Sequence, residues 1–108
     1  MKNKWEIGTL ARQGDVLVRC IDELPKKKVM TRANGVLAYG EVTGHSHQVE
    51  DLTRAEVLDI DNRLYLHVGE EGVRIVHDEH APLSLPTGNY EVTIQREYAP
   101  AEIRYVVD

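Results

Sequence analysis

An all-β fold, a small single-domain sandwich or barrel, is what this sequence predicts. Three observations carry the prediction. Short apolar segments alternate in and out at period two. Turn signals rich in Gly, Asn, Asp and Pro separate them at short, regular intervals. No window longer than roughly ten residues shows convincing helical periodicity. At 108 residues the chain is the size of one domain, residues 1–108, with one hydrophobic core. It lacks Phe and has a single Trp, so Val, Leu and Ile must build most of that core.

Residues 1–14 read as an N-terminal arm, with Trp5, Ile7 and Leu10 available to pack onto the sheet. Gln13-Gly14-Asp15 is a turn signal. The strand at 15–21 follows, with Val16, Val18 and Cys20 on one face and Leu17, Arg19 and Ile21 on the other. Apolar residues on both faces make it a central strand. After Pro25 and a lysine loop comes a short strand, Val29–Thr31. Asn34-Gly35 is a hairpin signal, since both residues tolerate positive φ. The next strand spans 36–42 and continues, after a bend at Thr43-Gly44, into 45–50.

Ala55–Ile60 and Arg63–Val68 read as strands joined by a tight Asp61-Asn62 turn, with Leu64, Leu66 and Val68 facing the core. Residues 69–72 read as another hairpin turn, with Val73–His77 as the return strand. Residues 77–80 are a polar connection, and Pro82 follows. Pro86-Thr87-Gly88-Asn89 is a turn. A strand at 90–98 places Tyr90, Val92 and Ile94 on one face, and a last short strand is expected at 103–107.

Composition excludes several function classes. The formal charge is −5, from 13 Lys and Arg against 18 Asp and Glu. Nucleic-acid binding needs a basic face, so it is disfavoured. The one basic run, Lys26-Lys27-Lys28, reads as a solvated loop. No apolar stretch is long enough to span a bilayer. The first residues lack the apolar run of a secretory leader, and Cys20 is the only cysteine. A cytoplasmic location is therefore expected. Cys20 lies in a strand pattern and reads as a buried, inert thiol.

All five histidines lie between His45 and His80. His45 and His47 share one side of an extended segment because side chains alternate, and two imidazoles so placed can hold one metal ion. Glu50 is an oxygen donor three residues on. His77 and His80 form a second pair, separated by Asp78 and Glu79. His67 lies on the polar face of its strand. A His-x-His turn and a His-x-x-His turn in one small β domain predict a site for a divalent transition metal (Zn, Fe, Ni or Mn) built from His45, His47, His77, His80 and Glu50. Ser46 has no positioned base and is not expected to act as a nucleophile. Gln95, Arg96 and Glu91, near the last long strand's end, are candidate ligand contacts.

The pattern of Gly40, His45, His47 and Glu50 resembles the first motif of the cupin superfamily, with the glycine–histidine and histidine–glutamate spacings each one residue short. Pro86-Thr87-Gly88 resembles the start of the second motif. Glu91 stands where that motif has its histidine, Gln95 where it has its asparagine, and His80 where it has a glycine. The resemblance covers roughly residues 40–95. It implies a jelly-roll barrel with a metal held by His45, His47, Glu50 and Glu91. The chain is also similar to short bacterial proteins with Gly-His-Ser-His and a closing Leu-Pro-x-Gly-x-Tyr-Glu-Val-x-x-Gln-Arg-Glu-Tyr segment, a resemblance that implies no function.

The leading expectation is a small metal-binding protein, which extends to a metalloenzyme of undefined substrate. The alternative is a non-enzymatic interaction module, a small partner subunit of the kind mobile elements encode, whose histidines are incidental. An unpaired edge strand would let a second copy pair with the first, which makes a homodimer an expectation for the chain.

Overall fold

The alternating segments pair as two antiparallel sheets packed face to face. The structure, a computed structural model, describes residues 4–39 and 45–95. Among these are ten strands: β1 (Leu10–Gln13), β2 (Val16–Ile21), β3 (Val29–Thr31), β4 (Val36–Tyr39), β5 (Ser46–Val49), β6 (Ala55–Ile60), β7 (Arg63–Val68), β8 (Val73–His77), β9 (His80–Leu85) and β10 (Gly88–Ile94). One sheet has the order β1-β2-β10-β7-β6-β3 and the other β4-β5-β8-β9. The all-β sandwich expected from the sequence is therefore present. No helix long and apolar enough to cross a membrane occurs among the described residues.

Period two decides which side chains meet between the sheets. Val16, Val18 and Cys20 of β2 are buried, as are Tyr90 and Val92 of β10 and Leu66 and Val68 of β7. They pack against Leu37, Val49, Val73, Ile75 and Leu85 from the other sheet. Trp5 covers one end of this core, edge-on to Tyr90 with ring centroids 5.8 Å apart. Leu58, Ile60 and Tyr65 form a smaller cluster with Ile21 and Leu24. Leu58 and Tyr65 are register partners, one position out of phase with the inward-facing Val57 and Leu66, so this cluster lies on the other face of the six-stranded sheet.

Several elements depart from the sequence reading. Part of the expected arm is strand β1, and Ile7 and Leu10 are exposed instead of packed. The Asn34 and Gly69–Gly72 connections do not close hairpins, because β3 and β4 belong to different sheets, as do β7 and β8. At the first, Asn34 Oδ1 accepts from the Val36 amide at 3.0 Å, an Asx turn that redirects the chain between layers. Asp61-Asn62 does close a two-residue hairpin, with positive φ at both residues, as a type I′ turn requires.

The segment at 46–49 does not extend β4. It returns beside it, with Tyr39 opposite Ser46. Residues 77–80 are a two-residue hairpin, with His77 directly opposite His80. Pro82 lies within β9, where an edge strand tolerates a residue without an N–H. The expected bend at Thr43-Gly44 and the last strand at 103–107 lie outside the described residues.

Candidate metal centre

Three strand ends bring the site together. β5 carries His47, β8 ends at His77, and β9 begins at His80. Residues directly opposite each other in an antiparallel pair project to the same face, which sets His77 beside His80. From Ile75 to His77 β8 advances two residues while β9 retreats three, from Leu83 to His80. The extra residue is a bulge around Ala81-Pro82, and it frees the Ala81 carbonyl from the ladder.

Ligand nitrogens of His47, His77 and His80 lie within 4.8 Å of one another. The His47 ring centroid is 4.3 Å from that of His77 and 5.6 Å from that of His80. His47 is 2% exposed; with Gln13, at 3%, it makes up the buried polar side chains among the described residues. His77 is half-buried and His80 exposed, so the cluster runs from the core out to the surface.

Gln13 sets the chemistry of His47. Its amide nitrogen donates to the carbonyls of Ile75 and Ala81, both at 2.9 Å. The amide oxygen must then face His47, and it lies 2.8 Å from Nδ1. Nδ1 therefore carries the proton and donates, and Nε2 of the neutral ring is bare. Metal-bound histidines are commonly held in this way, with the second ring nitrogen donating to an oxygen. Burial, with added repulsion from His77 and His80, pushes the His47 pKa down against the pull of Asp15, which favours the neutral, ligand-competent ring.

The neighbouring groups are arranged differently. His77 Nδ1 accepts from the Glu79 amide at 3.0 Å, so the proton of neutral His77 is on Nε2. His45 lies edge-on to His77, with centroids 5.8 Å apart. Its Nε2 is 3.5 Å from Asp78 and its Nδ1 3.6 Å from Glu79. The second distance is too long for a hydrogen bond, and Nδ1 is buried without a hydrogen-bond partner among the described residues. Asp15 Oδ1 is 3.3 Å from His47 Nε2. Gly14 has φ +58°, and a Cβ there would stand 2.7 Å from His80 Nε2 and 3.1 Å from a His47 ring carbon, so a side chain would strain the backbone and displace the rings.

Of the residues singled out from the sequence, His47, His77 and His80 are brought together, with His45 at their margin. Glu50 stands apart, in a two-pronged ion pair with Arg74 at 2.6 and 2.8 Å. Glu91 is held by Arg19 at 2.7 Å and Arg63 at 3.5 Å. Gln95 accepts from Arg12, and Arg96 lies outside the described residues. His67 bonds to Asn89 on the six-stranded sheet. Burial pushes the Cys20 thiol pKa up, which suits the inert role. The sequence presents Gln13 as a turn residue and Asp15 as a turn residue that opens a strand, with no sign of a site at either.

A family model described as "Domain of unknown function (DUF8820)" matches residues 12–95. The chain belongs to this family. The matched span takes in Gln13, Asp15 and all four histidines at the cluster. No curated protein and no solved structure matches the chain.

Proposed function

We propose that this domain binds a divalent transition metal ion through His47, His77 and His80. The observation that carries the reading is the buried His47, tethered at Nδ1 by Gln13 and one of three histidines that each offer a ring nitrogen within 4.8 Å of the others. Three imidazoles are a familiar donor set for zinc and its neighbours. If His77 were to hold the ion through Nε2, its proton would sit on Nδ1, the atom that accepts from the Glu79 amide. His45, with Asp78 and Glu79 beside it, is an outer group and not a primary ligand. We propose further that the sandwich is a jelly roll of cupin-like type. Two packed antiparallel sheets with histidines at one rim support it, although Glu50 and Glu91 take no part.

The test is calorimetric titration of metal-stripped protein with Zn, Ni and Mn. The expected result is one-to-one binding that is lost in a His47→Ala/His80→Ala double variant and unchanged in Glu50→Gln. Absence of binding at micromolar metal would refute it. The interaction-module reading rests on a different feature: β3 is an edge strand with Val29 and Met30 exposed. Metal-free protein that sediments as a dimer would favour that second reading.

A further inference from the structure

The strands that carry the histidines lead, at their other ends, to an open groove of about 860 Å³. β5 holds His47 near its start and is followed by Glu50; β8 runs from Val73 to His77, and β9 from His80 to Leu85. The groove is lined by one aromatic ring, Trp5, by the carboxylates of Glu50, Asp51, Glu70 and Glu71, and by the guanidinium groups of Arg54 and Arg74. A volume of this order holds a small molecule. We propose that the groove binds a neutral sugar, with Trp5 against a C–H face of the ring and the charged groups hydrogen-bonding its hydroxyls. A hydroxyl both donates and accepts, so such a ligand uses carboxylates and guanidinium groups alike. An ammonium ligand would meet two guanidinium groups, and an anionic ligand four carboxylates. Hydrogen bonds to charged groups are the stronger kind, and a tryptophan adds a rigid apolar face with one polar handle. This assignment does not depend on the metal-binding reading.

Part of the lining is fixed and part is open to a ligand. Arg74 grips Glu50 with two hydrogen bonds, which makes that pair a rigid wall. Arg54 stands 3.3 Å from Glu71 and 3.8 Å from Asp51 but makes no side-chain hydrogen bond among the described residues, and Glu70 makes neither an ion pair nor a hydrogen bond there. Trp5 is half-buried and held edge-on to Tyr90, while its indole N–H has no acceptor among the described residues. The turn that bears Glu70 and Glu71 is tied down at both ends. The Gly69 amide donates to the Arg54 carbonyl at 2.8 Å, and the Gly72 amide to the Gly69 carbonyl at 3.0 Å. At Gly72, with φ +73°, a Cβ would stand 2.9 Å from the Leu85 carbonyl oxygen, so the turn lies close against the end of β9. Walls fixed before binding keep the ordering cost of a ligand low.

Trp5 is the single tryptophan of the chain, so tryptophan fluorescence reports on the groove alone. The full chain, in chelator, is titrated with glucose, galactose, N-acetylglucosamine and maltose, and saturation-transfer NMR follows the sugar protons. At least one sugar is expected to shift the emission saturably, with millimolar affinity, and to receive saturation from the protein. Glu70→Gln and Arg54→Gln, both at the surface, are each expected to weaken that affinity about tenfold, the loss of one hydrogen bond to a charged group. No saturable response to any of the four sugars would overturn the proposal, as would an affinity unchanged in both variants. Binding that appears only on addition of zinc would place the sugar at the histidines and overturn the groove assignment. A response to spermidine and to none of the sugars would assign the groove to a cation and overturn it equally.

Discussion

Replacing Gln13 by Leu should destabilise the metal-free protein by about 3 kcal/mol. The side chain is 3% exposed and makes hydrogen bonds to the Ile75 and Ala81 carbonyls and to His47 Nδ1. Each is worth about 1 kcal/mol net, and each group left buried without a partner costs about 1–3 kcal/mol. Leu fills the volume but satisfies none of them. A domain of 108 residues has about 5–15 kcal/mol of stability, so the variant still folds and the loss is measurable. The assay is urea unfolding followed by circular dichroism with a chelator present, so that bound metal adds nothing. A drop in Tm of about 10–20 °C should accompany it. Gln48→Leu, at an exposed position on β5, is the control and should change stability by no more than about 0.5 kcal/mol. In a double-mutant cycle with His47→Leu, the two changes should couple by about 1 kcal/mol. A loss below about 1 kcal/mol for Gln13→Leu, or additive effects in the cycle, would refute a tether between the sheets.

Two other outcomes follow from buried polar groups. Tyr90 is fully buried and donates to the Pro86 carbonyl at 2.5 Å, so Tyr90→Phe should cost about 1–2 kcal/mol in the same urea assay; an unchanged midpoint would show that the hydroxyl contributes nothing. His47 is held neutral in the fold because its pKa is pushed down, so in the metal-free protein the unfolded chain takes up the proton first. Stability should therefore fall as pH drops through the ordinary histidine range, near about 6.5. His47→Leu should flatten that slope in chelator-treated protein, and an unaltered slope would place the titration elsewhere.

The strands were legible because burial on a sheet has period two, and that period survives whatever the sheets do next. The inward set of β2, Val16, Val18 and Cys20, and that of β7, Leu64, Leu66 and Val68, can be read directly from the alternation. Turn signals were less informative about pairing. Asp61-Asn62 closes a hairpin, but Asn34-Gly35 and the Gly69–Gly72 segment carry the chain from one sheet to the other. A turn residue reports local backbone freedom, not which layer the next strand joins. β9 was hidden by Pro82, which forbids a central strand but not an edge one.

The site divides along the same line. His45 and His47 share a side by alternation, and that same alternation puts Glu50, three residues beyond His47, on the opposite side, where it meets Arg74. Proximity in sequence made Glu50 a candidate, yet period two already argued against it. His77 and His80 become neighbours once the Asp78-Glu79 pair is read as a two-residue hairpin. Gln13 and Asp15 lie more than thirty residues from His47, and no local pattern links a β1–β2 turn to the far sheet. The available signal was weaker: a glycine at a tight turn, flanked by an amide and a carboxylate, at the end of a strand. What gives that turn its meaning is packing between the layers. It buries Gln13, fixes the His47 proton on Nδ1, and leaves the Nε2 lone pair facing a carboxylate.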